Sequence, residues 1–498
     1  MTVEVKVEVE ETQMGEVSVS EEVSNKKEAV DECKPTTVEK SSSYKEESNF
    51  LSDLKEFEKK ALIDLRAKVE EAILGNNVYK KEEEPKKNEK AVEETAEEKK
   101  KPVKEGEEEE GKDAEKSAEE SKPECAETEK EGEKEETREV IVEEKVEEVD
   151  RDISLWGVPL LPSKGAEGTD VVLLKFLRAR EFKVNDAFEM LKKTLQWRKD
   201  SKIDSILDEE LCVDLSSAVD VNGVDREGHP VCYNVFGVFE NEELYQKTFG
   251  TEEKRSHFLR WRCQLMEKSI QKLDLKPRGV SSFLNISDLK NSPGPSKKEL
   301  RIATKQAVGL LQDNYPELVA KNIFINVPFW YYALNTLLSP FITQRTKSKF
   351  VIARPAKVTE TLLKYIPAEE IPFKYGGFKR ENDYEFYGDD NSVSELYLKA
   401  GMTETIEIPA PEADATLIWD VAVLGWEVHY KEEFVPSDEG SYTIIVQKGK
   451  KMGSQEGPLR NTFRSNEPGK VVLTIENTSN KKKRVMYRFK TKKSPSSF

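Results

Sequence analysis

The feature that most constrains the fold is a regular alternation of strand-like and helix-like segments across residues 220–375. Four short segments are apolar and rich in β-branched residues: PVCYNVF, VSSFLNISDL, KNIFINVP and SKFVIA. Stretches with helical spacing separate them, most of ten or more residues. This alternation predicts a largely parallel sheet in an α/β domain. The apolar strands are of the kind that a sheet covered on both faces requires.

Different patterns flank this region. Residues 169–200 (TDVVLLKFLRAREFKVNDAFEMLKKTLQWRKD) have the spacing of two consecutive helices and predict a helical N-terminal lobe over residues 151–205. Beyond about residue 390, segments such as TETIEIPA, SYTIIVQKG and KVVLTIENTS alternate at period two between turns. We therefore predict an α/β domain at residues 206–382 and a small all-β sandwich at residues 383–498.

Charge is distributed unevenly along the chain. Residues 1–150 carry 49 acidic and 27 basic residues, whereas the rest has 48 acidic and 52 basic residues. Sequence rich in Glu and Lys buries too little apolar surface to offset the entropy of ordering, so we predict a long disordered acidic arm. Such an arm is either a solvated spacer or a like-charge repeller or docking tail. Within it, residues 50–75 have the spacing of a short amphipathic helix, suited either to a partner or to the folded body.

The sequence gives little indication of catalysis. It contains no GxSxG, HExxH, Walker or dinucleotide-binding motif, and its three histidines are far apart. The five cysteines form no CxxC pair, which favours free thiols in a reducing compartment. The N-terminus lacks the apolar core of a signal peptide. We expect a cytoplasmic protein that is not an enzyme and has no metal or cofactor.

One segment, NVPFWYYALNTLLSPFITQRTKSKF at residues 326–350, is apolar and aromatic and ends in cations. Pro328, Asn335 and Pro340 interrupt it, so it is too short and too broken to span a bilayer. A helix that is apolar nearly all round is either deep core or faces an apolar ligand. An apolar wall that ends in cations suits an amphiphile with an anionic head.

Four motifs in order resemble the CRAL-TRIO lipid-transfer family over about residues 165–380: LLKFLRAREFKVNDAFEMLKKTLQWRKD, GVDREGHPVCYNVFG, the stretch from LQDNYPELVAKN through SKFVIA, and LLKYIPAEEIPFKYGG. WDVAVLGWEVHYKEEF and VLTIENTSNKKKRVMYRFK resemble a GOLD β-sandwich. An acidic arm, CRAL-TRIO and GOLD in that order is similar to the plant patellins. The resemblance implies that the segment at 326–350 is a gate over a pocket for a phospholipid or another hydrophobic ligand. The implied gate and pocket residues are Phe329, Trp330, Tyr331, Leu334, Leu337, Leu338, Phe341 and Ile342.

The resemblance also implies head-group contacts. The matching positions are Glu317 after a Tyr-Pro pair, Lys349 at the end of the gate, and Arg180 in the N-terminal lobe. Glu181 and Leu318 stand where inositol-lipid binders carry basic residues. A carboxylate in place of a cation repels a phosphate by roughly 1 kcal/mol or more at short range, so the cargo is left open between an inositol lipid and another lipid.

A second membrane contact is predicted near the C-terminus, where a strand alternates apolar and cationic residues. Its predicted membrane-facing residues are Lys481, Lys482, Lys483, Arg484, Arg488 and Lys490; the alternative is a solvated terminal strand. Aromatic residues are not interleaved on the cationic face, so we expect no nucleic acid partner. The resemblance implies lipid transfer at phosphoinositide-containing membranes, in trafficking and at the cell plate or plasma membrane. We hypothesise that the acidic arm weakens docking by repulsion or by masking this strand. The alternative function is a scaffold that recruits proteins through GOLD and the amphipathic helix.

Overall fold

The computed structural model describes residues 45–79, 152–211, 214–294, 297–329, 331, 344–388 and 392–493. Most of the acidic arm and of the predicted gate therefore lies outside the described residues. The described part comprises an N-terminal helical lobe, an α/β domain and a β-sandwich. The predicted architecture, an α/β domain with an N-terminal helical lobe followed by an all-β sandwich, is confirmed.

The N-terminal lobe is a three-helix cluster with a small ribbon. Its elements are α1 (Glu56–Leu74), β1 (Ser154–Leu155), β2 (Val158–Pro159), α2 (Gly168–Ala179) and α3 (Val184–Asp200). The apolar stripe of α1, which includes Leu62, Leu65 and Val69, is buried in one core with residues of α2 and α3. Arg66 on α1 also pairs with Asp170 on α2. The amphipathic helix thus packs on the folded body, which covers the surface that the alternative scaffold function would use.

The α/β domain is built on one five-stranded sheet. Its strands, in sheet order, are β3 (Val219–Val224), β4 (Pro230–Val235), β5 (Phe283–Asp288), β6 (Val319–Ile325) and β7 (Phe350–Ile352). β4 to β7 are parallel, and β3 is antiparallel to β4. The helices are α4 (Glu242–Phe249), α5 (Glu252–Ile270), α6 (Lys298–Asn314), α7 (Gln344–Ser348) and α8 (Val358–Leu362).

The C-terminal sandwich consists of two antiparallel four-stranded sheets. Its strands are β8 (Ser394–Leu398), β9 (Thr403–Ala410), β10 (Thr416–Val423), β11 (His429–Pro436), β12 (Ile444–Lys451), β13 (Leu459–Arg464), β14 (Gly469–Glu476) and β15 (Lys483–Lys492). The sheet orders are β13-β10-β15-β8 and β12-β11-β14-β9. Alternate inward residues, among them Trp419 and Phe434, fill the space between the sheets, as two packed sheets require.

The sandwich and the α/β domain share a core. Ala422 on β10 and Met486 on β15 belong to the same buried cluster as Ile286, Ile323 and residues around α8. One face of the central sheet is therefore sealed by α8, the chain after it and the sandwich. Among the described helices, none combines the length and apolar character needed to cross a bilayer.

Candidate functional site

The opposite face of the central sheet carries a row of asparagines. Asn234 on β4 donates to Asn285 on β5 at 2.7 Å, and Asn285 donates to Asn322 on β6 at 2.9 Å. Arg262 on α5 donates to the Asn234 side chain at 2.6 Å and completes the row. Within the described residues, Arg262 has no carboxylate partner, and burial lowers its pKa. We call Asn234, Asn285, Asn322 and Arg262 the asparagine row.

Aromatic side chains lie beside this row. Phe324 on β6 and Phe350 on β7 make an edge contact with ring centroids 5.3 Å apart, and Tyr331 lies 5.5 Å from Phe324. Asn285, Asn322, Phe324 and Phe350 are only partly buried, although they stand on an inner face of the sheet. Apolar rings beside a few convergent polar groups are typical of a site for an amphiphilic ligand.

Phe329 does not line this face in the structure. Its side chain is 92 % exposed, so the prediction that it lines the pocket is wrong for this conformation. Helical positions two residues apart point in directions roughly 200° apart. Packing Tyr331 against Phe324 therefore turns Phe329 outward. The other predicted gate residues, Trp330, Leu334, Leu337, Leu338, Phe341 and Ile342, lie outside the described residues.

A charged cluster marks the end of the gate segment. Glu317, just before β6, accepts hydrogen bonds from Arg345 at 2.8 and 3.0 Å and from Lys349 at 2.8 Å. Burial alone would raise the pKa of Glu317, but these two cations hold it at about 2. The backbone N–H of Asn322 donates to the Lys349 carbonyl, which ties the cluster to the asparagine row. We call Glu317, Arg345 and Lys349 the gate-end cluster.

The N-terminal lobe adds two cations beside this cluster. Lys175 on α2 donates to the carbonyl oxygens of Ser281 and Glu317, both at 2.8 Å, and burial lowers its pKa to about 7. Arg178, one turn further along α2, is only 7 % exposed. It pairs with Glu47, which is also bound by Arg345. The site is therefore rich in buried positive charge.

Of the predicted head-group residues, the structure brings Glu317 and Lys349 together but leaves Arg180 outside. Arg180 follows the last turn of α2, where Glu181 and Phe182 adopt left-handed φ values of 52° and 60° and redirect the chain. In the described part of the chain, its guanidinium donates to the neighbouring Ala179 carbonyl at 3.2 Å and to no other group. Glu181 is likewise outside the cluster and pairs with Lys183 at 3.4 Å, so it does not oppose a phosphate there.

Sequence reasoning missed Arg178. The signal was available, because Lys175 and Arg178 are charged residues three apart on a helix whose other residues after Asp170 are apolar. A cation buried on such a helix needs a partner, which marks the pair as candidates for a polar site.

The predicted membrane-facing strand requires a correction. β15 lies between β10 and β8, and the α/β domain covers one of its faces. Arg488 is 3 % exposed and pairs with Asp420 at 2.7 Å, while Lys483 is 7 % exposed and pairs with Glu427 at 3.2 Å. Neither can present its charge to a bilayer in this conformation.

The rest of the predicted basic strand is closer to the surface. Lys481 and Lys482 are exposed, and Lys490 is half-buried. Arg484 is also half-buried and pairs with Glu395. No group of three or more His, Cys, Asp or Glu side chains suited to a metal ion occurs in the described part of the chain.

Comparisons with known proteins agree with this architecture. The CRAL/TRIO, N-terminal domain family matches residues 119–193, the CRAL/TRIO domain family residues 216–377, and the Patellin-1-like, C-terminal GOLD domain family residues 399–483. Patellin-4 of Arabidopsis thaliana is 56 % identical, and the alignment covers 100 % of both chains. The chain belongs to the patellin family. Patellin-3 of the same plant is 50 % identical over 71 % of this chain and 72 % of its own length.

A more distant relative lies outside the patellins. The phosphatidylinositol transfer protein SFH5 of Kluyveromyces lactis is 28 % identical, over 55 % of this chain and 91 % of its own length.

Proposed function

We propose that this patellin is a non-catalytic phospholipid-binding and lipid-transfer protein that acts peripherally at phosphoinositide-containing membranes, in vesicle trafficking and cell-plate formation. The observation that carries the proposal is the partly buried face on which the asparagine row adjoins Phe324 and Phe350, with the gate-end cluster tied to its edge. The SFH5 relative is named for phosphatidylinositol transfer, which supports the same ligand class.

The two halves of an amphiphilic ligand would contact different parts of this site. Aromatic rings accept acyl chains, and each buried methylene contributes about 0.8 kcal/mol, so releasing a diacyl lipid into water costs tens of kcal/mol. Exchange therefore has to take place against a bilayer. We propose Glu317 and Lys349 as head-group contacts, with Arg345 and Arg178 as additional cations for an anionic head. Arg180 stays a prediction without a contact to this group.

Filling the ligand face tests the proposal. Native mass spectrometry of the protein purified from its host cells should detect one bound phospholipid per chain. Asn322→Trp places an indole against the asparagine row and should abolish both this lipid and intermembrane transfer. Asn77→Trp, at an exposed position on the N-terminal lobe, is the matched control and should leave both unchanged. If both variants kept the bound lipid and still transferred it between membranes, the proposed site would be refuted.

Membrane contact is proposed for the exposed remainder of the basic strand. Lys482 lies 4.1 Å from the ring of Tyr397, which is itself 54 % exposed. Near an anionic leaflet each lysine contributes about 1 kcal/mol. Each substitution removes one such contribution. Lys481→Glu with Lys482→Glu should therefore weaken binding to vesicles that contain phosphatidylinositol 4,5-bisphosphate by about tenfold or more. Lys60→Glu with Lys193→Glu, two exposed lysines of the N-terminal lobe, controls for net charge.

A second candidate, a membrane-recruited scaffold, is favoured by one surface of the sandwich. Among the described strands, β12 pairs with β11 alone and lies at the edge of its sheet. Tyr442 beside it is 91 % exposed and Ile445 on it is 65 % exposed, which leaves apolar side chains next to an unpaired strand edge. Such edges accept a strand from another protein. A scaffold would tolerate Asn322→Trp, whereas a lipid carrier would not.

A further inference from the structure

Two carboxylates of the acidic arm lie in the cationic site that the gate-end cluster helps to form. Glu47 accepts two hydrogen bonds from Arg345, both at 2.8 Å, and pairs with Arg178 at 3.1 Å. Arg345 holds Glu317 with its remaining donors. One guanidinium thus bridges an arm carboxylate and a gate-end carboxylate, and its hydrogen bond to Glu47 lowers the pKa of that group.

Glu46 fills the neighbouring position. One oxygen accepts from the Ser282 hydroxyl at 2.6 Å, and the other lies 2.8 Å from the Nε2 atom of His229. The Nδ1 atom of His229 faces Asp225 at 2.9 Å, and Glu227 is 3.9 Å away. Burial alone would raise the pKa of Glu46, but the contacts with His229 and Ser282 lower it to about 2.

The next two residues close the contact. The Ser48 carbonyl and the Asn49 side-chain oxygen accept from the guanidinium of Arg178 at 2.6 and 2.7 Å. Asn49 also donates to the Ser281 hydroxyl at 3.2 Å. Residues 46–49, which we call the arm segment, therefore satisfy donors of Arg178, Arg345, His229 and Ser282 at once.

The arm segment is tethered close to this site. Phe50 lies against Arg278, and Leu54 and α1 are buried in the N-terminal lobe. A short linker to a packed helix gives the segment an effective concentration in the millimolar range. A free ligand that uses the same donors has to displace it.

The occupied donors are of the kind that bind phosphate. A guanidinium that holds a carboxylate with two parallel hydrogen bonds holds a phosphate in the same way. Lys349, which donates to Glu317, adds positive charge in the same cluster. The carboxylates of Glu46 and Glu47 thus stand where an anionic group of a ligand would find two guanidiniums and an imidazolium.

We propose that the arm segment is an intramolecular anionic ligand that competes with the phosphate of a bound phospholipid for Arg178 and Arg345. The inference rests on the proposed function, because it takes the lipid-binding site as given. The arm then controls access to the head-group site itself, and the described part of the arm makes this contact rather than masking the basic strand of the sandwich.

The test compares two double variants of the full chain. Glu46→Gln with Glu47→Gln removes the two charges from the site. Asp64→Asn with Glu71→Gln removes two charges from exposed positions on α1 of the same arm and is the matched control. We expect the first pair to accelerate transfer of fluorescent phosphatidylinositol between vesicles by about tenfold relative to the second, since charge-assisted hydrogen bonds are about twice as strong as neutral ones.

Hydrogen exchange of residues 45–50 in the unmodified chain gives a second readout. Vesicles that contain phosphatidylinositol should raise this exchange. Equal transfer by the two double variants, with unchanged exchange in the arm segment, would overturn the inference and leave the proposed function standing. Absence of phospholipid transfer and of bound phospholipid in every variant would refute the proposed function and the inference with it. Displacement of the segment by inorganic phosphate alone, but not by vesicles, would overturn the assignment to a lipid.

Discussion

The buried ion cluster at the interface between the α/β domain and the sandwich offers a sharp stability test. Asp420 on β10 is fully buried and contacts three guanidiniums: Arg460 at 2.7 and 2.8 Å, Arg488 at 2.7 Å and Arg380 at 2.9 Å. Asp383 is a second acceptor for two of them, Arg460 and Arg488. Asp420→Ala therefore leaves three cations in a poorly solvated site with one carboxylate.

The expected magnitude follows from this imbalance. Removing one partner of a buried ion pair lowers the free energy of unfolding by about 3–5 kcal/mol, because the remaining charge is left uncompensated. Each 1.4 kcal/mol corresponds to about a factor of ten in an equilibrium constant. Hydrogen exchange of the β10 and β15 amides in Asp420→Ala should therefore accelerate by roughly two to four orders of magnitude.

A matched control uses an exposed pair in the same sandwich. Glu407 on β9 pairs with Lys470 at 2.6 Å, and the two side chains are 55 % and 42 % exposed. Surface pairs of this kind contribute about 0–1 kcal/mol, so Glu407→Ala should change exchange less than tenfold. If Asp420→Ala behaved like Glu407→Ala, the interface charges would not be desolvated and the argument would fail.

Three further predictions concern the arm and the gate. Burial alone would lower the pKa of His229, but hydrogen bonds to Asp225 and Glu46 raise it from 6.5 to about 9. The stability contributed by these two hydrogen bonds is therefore complete below about pH 6.5 and is lost as the pH rises through 9. Hydrogen-exchange protection factors of the arm segment should fall in that window. Leu65→Ala removes a fully buried side chain of α1 and should destabilise the N-terminal lobe by about 2–5 kcal/mol, measured by exchange of the α1 amides. Phe329→Asp should weaken vesicle binding without a change in melting temperature, because the ring is 92 % exposed.

Each of these has its own control. His229→Gln should flatten the pH dependence, and a persisting fall would assign it to another group such as Glu227, 3.9 Å from the ring. Ile63→Ala, at a position 62 % exposed on the opposite face of α1, should cost little stability. Tyr442→Asp alters an equally exposed ring on the sandwich; the same loss of vesicle binding there would indicate a general effect of surface charge.

Much of the fold follows from local pattern. KNIFINVP overlaps β6, and TETIEIPA coincides with β9. A strand that is buried on both faces is apolar throughout, and one that is buried on a single face alternates apolar and polar residues, so both leave a recognisable pattern in the sequence. β3 was not predicted, because Asn222 and Gly223 interrupt its alternation and its pairing with β4 shifts register there. The position of β3 is set by its pairing with β4, and a local sequence pattern does not show which strand pairs with which.

The site was predictable only where charge and chain position coincide. Glu317 and Lys349 follow from the family motif and meet in space. Arg180 and Arg178 are two residues apart, and which of them reaches the cluster depends on how α2 packs. The arm contacts of Glu46 and Glu47 join positions more than 130 residues apart, beyond what periodicity or spacing reports.

The shared core has a mechanical consequence. Because Met486 and Ala422 pack into the same cluster as the central sheet, and Arg488 donates to the Phe378 carbonyl across the interface, the sandwich cannot swing without breaking that core. The sandwich therefore keeps one fixed orientation relative to the α/β domain. Wherever Lys481 and Lys482 rest on a bilayer, the central sheet is held at one inclination to it. The sandwich would then set the orientation of the ligand face relative to the bilayer as well as hold the protein at the surface.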